Sequence, residues 1–316
     1  MTKPNPKNVA ESVRQRLLNL AKKQNTEFTH ILIRYTIERL LYRLSMSQYA
    51  DRFLLKGAML LSLWSEQPYR PTLDVDFLAH GDSSERSIKQ TFQEIMQIDC
   101  VEDGLEFLPD SLHIDKIKEG QQYEGLRLTF RCLLAQAMLP VQIDIAFGDA
   151  VTPGPLKLAY PTLLQLPSPV LFTYPRETVV AEKLEAMVKL GMANSRMKDF
   201  ADLDFLAGHF EFDGNLLTKA IAATFERRKT TIQPRTPMSL TPEFYENVDK
   251  QKQWLAFIKR SKLVNPLPDL KSVCERLSKF LLPPYEAARN DAICQMSWTP
   301  NKGWMPADNT SPTKHR

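Results

Sequence analysis

Asp74 and Asp76 are separated by a single valine in the apolar run Leu73-Asp74-Val75-Asp76-Phe77-Leu78. Alternate side chains of a strand share a face, so the two carboxylates point one way and Val75 and Phe77 the other. Adjacent anions repel, and burying them is costly unless a cation compensates. Magnesium, or manganese in its place, meets that need, because it takes hard oxygen ligands and carries nucleotide phosphates. The residue types therefore point to a metal–nucleotide site.

Four further segments carry groups suited to the same chemistry. In Val141-Gln142-Ile143-Asp144-Ile145-Ala146-Phe147 the apolar residues form one face and Asp144 points to the other. Asp144 is either a surface residue of a half-exposed sheet or, on a strand beside Asp74 and Asp76, a third carboxylate for the metal. Lys56-Gly57-Ala58 is a small-residue turn at the start of an apolar helix, where backbone N–H groups can receive phosphate oxygens. Arg70 and Thr72 come just before the aspartates and join Lys56, Gly57 and Ala58 as candidate nucleotide contacts. Further on, Val179 to Lys189 has helical texture, with Lys183 a candidate for neutralising a triphosphate and Lys189 a second candidate cation. The two lysines are six apart and do not share one face. Arg196 to Asp204 opens another helix, and Asp199 and Asp202 lie at i and i+3 on one side of it. Helix capping by acidic side chains accounts for one of these, hardly for several.

The elements that must position these groups are legible in outline. Val13, Leu17, Leu18 and Leu20 suggest a first helix, and Phe28 to Leu44 a second, with Arg34, Arg39 and Arg43 at the margin of its apolar side. Those arginines read as solubilising surface residues or as phosphate contacts. Phe53 to Trp64 reads as an apolar run with a helix beginning near Gly57. Ser84 to Ile98 is amphipathic, with Ile88, Phe92, Ile95 and Met96 as its apolar side. Between Leu112 and Phe147 the texture alternates, as in antiparallel strands. Pro153 to Pro175 is proline-rich and reads as a joint, and helical texture then runs to about Leu282, interrupted over Thr230 to Pro242. The expectation is an α+β chain: a small sheet flanked by helices in residues 1–160, a mainly helical region over 161–286 that completes the site, and a loosely ordered tail over 287–316.

Bulk properties exclude several classes. The 316 residues are 43% hydrophobic and 25% charged, as in ordinary globular proteins. No stretch approaches the roughly 20 apolar residues of a membrane span, and the first seven residues lack the apolar core of a secretory signal, so a cytoplasmic address is expected. Four scattered cysteines without a CxxC pair argue against a zinc ribbon or a disulfide framework, and the five histidines are isolated. The net charge of +4 is uneven: from Asn215 onward 17 Lys and Arg face 9 Asp and Glu. That basic C-terminal third, including Arg227-Arg228-Lys229 and Lys259-Arg260, suits a polyanionic partner such as RNA.

Taken in order, Gly57-Ala58, Arg70-Pro71-Thr72-Leu73-Asp74-Val75-Asp76 and the later strand with Asp144 resemble the signature of the polymerase-beta-like nucleotidyltransferase superfamily. Glu182-Lys183-Leu184-Glu185-Ala186 and Lys198-Asp199-Phe200-Ala201-Asp202-Leu203 add a resemblance to the AbiEii nucleotidyltransferase toxins of type IV toxin–antitoxin systems, which include MenT-like tRNA-modifying toxins. The resemblance spans about Phe28 to Leu206. It implies a nucleotide-cradling turn at Gly57 and Ala58, metal ligation by Asp74 and Asp76, a base or further ligand at Asp144, and a catalytic lysine at Lys183. It also implies a catalytic aspartate for which Asp199 and Asp202 both stand. Ala58 and Met59 depart from the Gly-Ser or Gly-Gly-Thr seen in relatives, so no side-chain hydroxyl reaches phosphate from this turn.

The implied reaction moves a nucleoside monophosphate from a nucleoside triphosphate to a hydroxyl and releases pyrophosphate. The tRNA 3′ end is the implied acceptor, and a cognate antitoxin encoded nearby the implied partner. The alternatives are an enzyme that modifies a protein or small molecule, and a catalytically silent interaction protein of the same fold.

Overall fold

The computed structural model describes residues 6–64, 74–119, 123–261 and 266–307. The chain divides into two compact units, one of residues 1–148 and 156–173, the other of 149–155 and 174–316. It is an α+β protein, with a seven-stranded mixed sheet in the first unit and mainly helices in the second.

The first unit begins with helices α1 (Pro6–Lys23) and α2 (Phe28–Met46), followed by β1 (Phe53–Lys56), the short α3 (Met59–Trp64), β2 (Asp74–Ala79) and α4 (Glu85–Met96). Three long strands follow, β3 (Leu105–Glu119), β4 (Tyr123–Leu134) and β5 (Ala137–Phe147), and the chain returns later as β6 (Leu156–Ala159) and β7 (Val170–Thr173). The strand order is β3-β4-β5-β2-β1-β7-β6. β3, β4 and β5 are antiparallel, as the alternation predicts, but β5 pairs with β2 in parallel.

Alternation also shows which sheet face is covered. Leu126, Leu128, Phe130, Val141, Ile143, Ile145, Val75 and Phe77 are buried, whereas Arg127, Thr129, Gln142, Asp144, Asp74 and Asp76 on the other face are not fully buried. Helix α2 packs on β5 and β7, and α4 on β3. The side of α4 marked out by Ile88, Phe92, Ile95 and Met96 is buried, and Ser84 caps the helix by accepting from the Ser87 N–H.

Three sequence expectations change here. Phe53–Lys56 is a strand, not the prelude to a helix; all four of its residues are buried, so no period-two pattern marks it. The proline-rich stretch contributes the edge pair β6 and β7. Arg39 and Arg43 are neither surface cations nor phosphate contacts, because both are almost fully buried. Arg43 Nη1 donates to Asp103 Oδ2 at 2.5 Å, Arg39 Nε lies 3.6 Å from the same oxygen, and Arg39 Nη1 donates to the Pro167 carbonyl at 2.8 Å. Beside them Glu38 accepts from the Leu163 N–H at 2.7 Å. These bonds fix α2 to the turn at 101–103 and to the loop before β7.

The second unit contains α5 (Arg176–Leu190), α6 (Met197–His209), β8 (Phe212–Asp213), α7 (Gly214–Arg227), α8 (Pro242–Tyr245), α9 (Val248–Ser261), α10 (Leu270–Arg289), β9 (Met296–Thr299) and β10 (Gly303–Pro306). The last two strands lie in the segment expected to be a loose tail. They pair with each other and with β8, held by two tryptophans. Trp298 is buried against Phe280 and donates to the Ala207 carbonyl at 2.7 Å, and Trp304 stacks on Phe280. The helical texture that the sequence carried to about Leu282 runs on through Pro283 and Pro284, which lie inside α10. Among the described residues no helix is long and apolar enough to cross a membrane.

Candidate active site

Register builds the site on the open face of the first unit. β2 and β5 pair so that Asp76 lies opposite Asp144. β1 places Lys56 opposite Asp76, and β4 places Arg127 opposite Asp144. A row of side chains thus crosses four strands in the order Arg127, Asp144, Asp76, Lys56, with two anions flanked by two cations. Asp74 stands two residues along β2 on the same face. A two-residue loop, Ala135–Gln136, joins β4 to β5 and sets the pairing that brings Arg127 to Asp144.

Arg127 holds Asp144 in a bidentate pair, with Nε to Oδ1 at 2.8 Å and Nη2 to Oδ2 at 2.7 Å. The hydrogen bond to Asp144, and the charges of Asp144, Asp74 and Asp76, push the guanidinium pKa above its usual value against the effect of burial. Arg127 was not singled out in the sequence. Its signal is the hairpin register, which no single residue displays.

Gly57 is fitted to Asp76. Its φ is +74°, in the left-handed region, and a Cβ built on it would fall 2.0 Å from Asp76 Oδ2. The missing side chain is what admits the carboxylate over the turn. Lys56 is almost fully buried next to it, and Ala58 is half-buried. Arg70 and Thr72 lie outside the described residues.

Asp74 and Asp76 place hard oxygens on one strand face, and both oxygens of Asp144 accept from Arg127. Among the described residues no group of three or more His, Cys, Asp or Glu is arranged to hold a metal ion. This donor set fits magnesium in the mode in which one or two carboxylates share the ion with substrate phosphates and water, not a cage made wholly of protein.

The second unit brings Lys183, Asp199 and Asp202 together. Lys183 on α5 donates to Asp199 Oδ1 at 2.7 Å and to Asp202 Oδ2 at 2.9 Å, both on α6. Arg196 Nε donates to Asp199 Oδ2 at 2.6 Å. Asp199 and Asp202 are 1% and 0% exposed. Burial opposes the charge on Lys183 and that on Asp199, but the charges of Asp199 and Asp202 together raise the Lys183 pKa, and Lys183 and Arg196 lower that of Asp199. Lys183 and Asp199 are therefore each held in the charged form. Lys189 is exposed in the last turn of α5, away from it.

Next to the triad Arg228 is enclosed by Glu185 at 3.0 Å, Glu182 at 3.2 Å and Asp149 at 3.4 Å. Of the basic triplet Arg227-Arg228-Lys229, the middle residue thus belongs to an internal ion network and not to an RNA-facing surface. Lys259 and Arg260, on α9, are exposed.

A strand face carrying Asp74 and Asp76 beside a glycine turn, in an α+β chain, is the arrangement expected of a nucleotidyltransferase. The sequence model of the family described as nucleotidyl transferase AbiEii toxin, type IV toxin–antitoxin system, matches residues 39–276, and the chain belongs to that family. Membership of a toxin–antitoxin family implies an antitoxin partner. No curated protein matches the chain. Among solved structures, JHP933 from Helicobacter pylori is 17% identical, with a TM-score of 0.48 over 82% of this chain and 93% of that one. A putative nucleotidyltransferase from H. pylori is also 17% identical, with a TM-score of 0.43 over 82% and 96%. Likenesses at this level carry no assignment.

Proposed function

We propose that the protein is a cytoplasmic toxin that transfers a nucleoside monophosphate from a nucleoside triphosphate to the 3′ end of tRNA, with an antitoxin encoded nearby. The observation that carries the chemistry is the pair Asp74 and Asp76 on one strand face, with Asp76 seated over Gly57. In the reaction an acceptor hydroxyl attacks the α-phosphorus. A new P–O bond forms, the bond to the β-phosphate oxygen breaks, and pyrophosphate leaves with that electron pair. The hydroxyl proton passes to a carboxylate on this face.

Bound magnesium would neutralise the charge that builds on the phosphates. Asp74 and Asp76 would hold it, and Gly57 keeps the turn beside Asp76 open. Asp144 is tied to Arg127 and serves to aim that guanidinium along the face. Little covalent chemistry falls to the protein, which positions groups and compensates charge. Exposed Lys259 and Arg260 in the basic C-terminal third favour a nucleic-acid acceptor.

The test is a mixture of the purified protein, magnesium, each labelled nucleoside triphosphate and total tRNA. Label on tRNA is the expected result. Label found only on a protein or small molecule of a cell extract would replace the acceptor, and no transfer with any of the four nucleotides would remove the reading.

A further inference from the structure

A second row of side chains runs beside the charged one. Asp74 lies opposite Gln142, Gln142 opposite Thr129, and Thr129 opposite His113, across β2, β5, β4 and β3. Asp74, Gln142 and Thr129 share the open face with Asp76, Asp144 and Arg127, each two residues along its strand from a member of the charged row, and His113 extends the line onto β3 opposite Thr129. With Arg131 and Ile33 they line a cleft of about 500 Å³.

The composition of this wall narrows its ligand. It offers an amide, a hydroxyl and an imidazole in line, about 4.8 Å apart as neighbouring strands are. It has one guanidinium, Arg131, and one carboxylate, Asp74, at its inner end. A triphosphate needs more cations than this, and a hydrocarbon would leave the Gln142 amide and Thr129 hydroxyl without partners. A nucleoside presents donors and acceptors along its base edge and ribose, with apolar ring faces for Ile33. The volume lies within the range of small-ligand sites.

We infer that the cleft bounded by Asp74, Gln142, Thr129 and Arg131 is a nucleoside subsite, which delivers the ribose end of its occupant to the aspartates. The inference rests on the nucleotidyl-transfer reading. The nucleoside comes either from the donor triphosphate or from the terminal residue of the acceptor RNA, and both present the same chemistry to the wall.

Thr129→Val and Gln142→Leu, made separately in the full chain, test it. Both side chains are half-exposed, and unchanged melting temperatures would show that the fold is kept. Two quantities are measured: the dissociation constant of each nucleoside triphosphate by calorimetry with magnesium, and the apparent KM for tRNA in label transfer. Loss of one hydrogen bond predicts about a fivefold weakening. Weaker triphosphate binding makes the donor the occupant; a raised KM for tRNA alone makes it the acceptor. If wild type transfers label and both variants match it within twofold in both measurements, the subsite is wrong while nucleotidyl transfer stands. If wild type neither binds triphosphate nor transfers label, both readings fall together.

Discussion

The Asp76 carboxylate occupies the space in which a side chain on Gly57 would begin, since a Cβ there would stand 2.0 Å from Oδ2. Gly57→Ala therefore meets two obstacles, the collision and a φ of +74° that costs an L-residue about 1–2 kcal/mol. The variant is expected to lose about 1–2 kcal/mol of stability by urea denaturation, with transfer falling at least about tenfold as Asp76 is displaced. Unchanged transfer would show that the position of Asp76 over the turn is irrelevant to the chemistry.

Arg127 and Asp144 make the second prediction. Their pair is partly exposed, so solvent screening limits its contribution to about 1 kcal/mol or less. Arg127→Gln frees both Asp144 oxygens and removes a positive charge facing Asp74 and Asp76. Manganese titration followed by electron paramagnetic resonance is expected to show tighter binding than in wild type. Weaker binding would mean that Arg127 supports the ion site and does not compete with it.

The triad in the second unit gives a structural prediction to set against its catalytic candidacy. Lys183→Met leaves Asp199 and Asp202 buried without their lysine, at a cost of about 3–5 kcal/mol. Adding Asp199→Asn and Asp202→Asn should recover much of that loss. If the triple variant regains its melting temperature and not its activity, the triad serves the reaction as well as the fold.

A fourth prediction concerns pH. Burial, opposed by the Leu163 N–H and by Arg39, raises the Glu38 pKa from 4.5 to about 7. The folded value is above the unfolded one, so the protonated side chain favours folding at low pH. That contribution is fully present below about pH 4.5 and lost as pH rises through about 7, amounting to about 3 kcal/mol. Glu38→Gln removes the titration. The stability difference between variant and wild type, from urea denaturation at pH 5 and pH 8, is expected to shift in favour of the variant at the higher pH. An unchanged difference would place the Glu38 pKa near 4.5 in the folded protein.

How far the sequence disclosed this protein depended on the kind of signal. The open sheet face and the α4 packing face were legible because alternation and helical spacing are local patterns. The strand Phe53–Lys56 was hidden because a strand buried on both faces has no alternation to show. Arg39 and Arg43 looked like surface cations because their partner, Asp103, lies about 60 residues away. The strand carrying Asp144 was visible, but its engagement by Arg127 depends on the register of one hairpin. Trp298 and Trp304 anchor β9 and β10 among polar, proline-containing sequence whose composition suggested disorder.

Asp74 and Asp76 are proposed as the centre of nucleotidyl transfer. Asp76→Asn preserves the shape of the side chain and removes one charge from a face that carries several, so the fold should hold. The deciding measurement is transfer of label from each nucleoside triphosphate to total tRNA with magnesium, by wild type and by Asp76→Asn at equal melting temperature. Robust labelling by wild type and a fall of at least about a hundredfold in the variant are expected. Equal labelling by the two proteins would contradict that proposal.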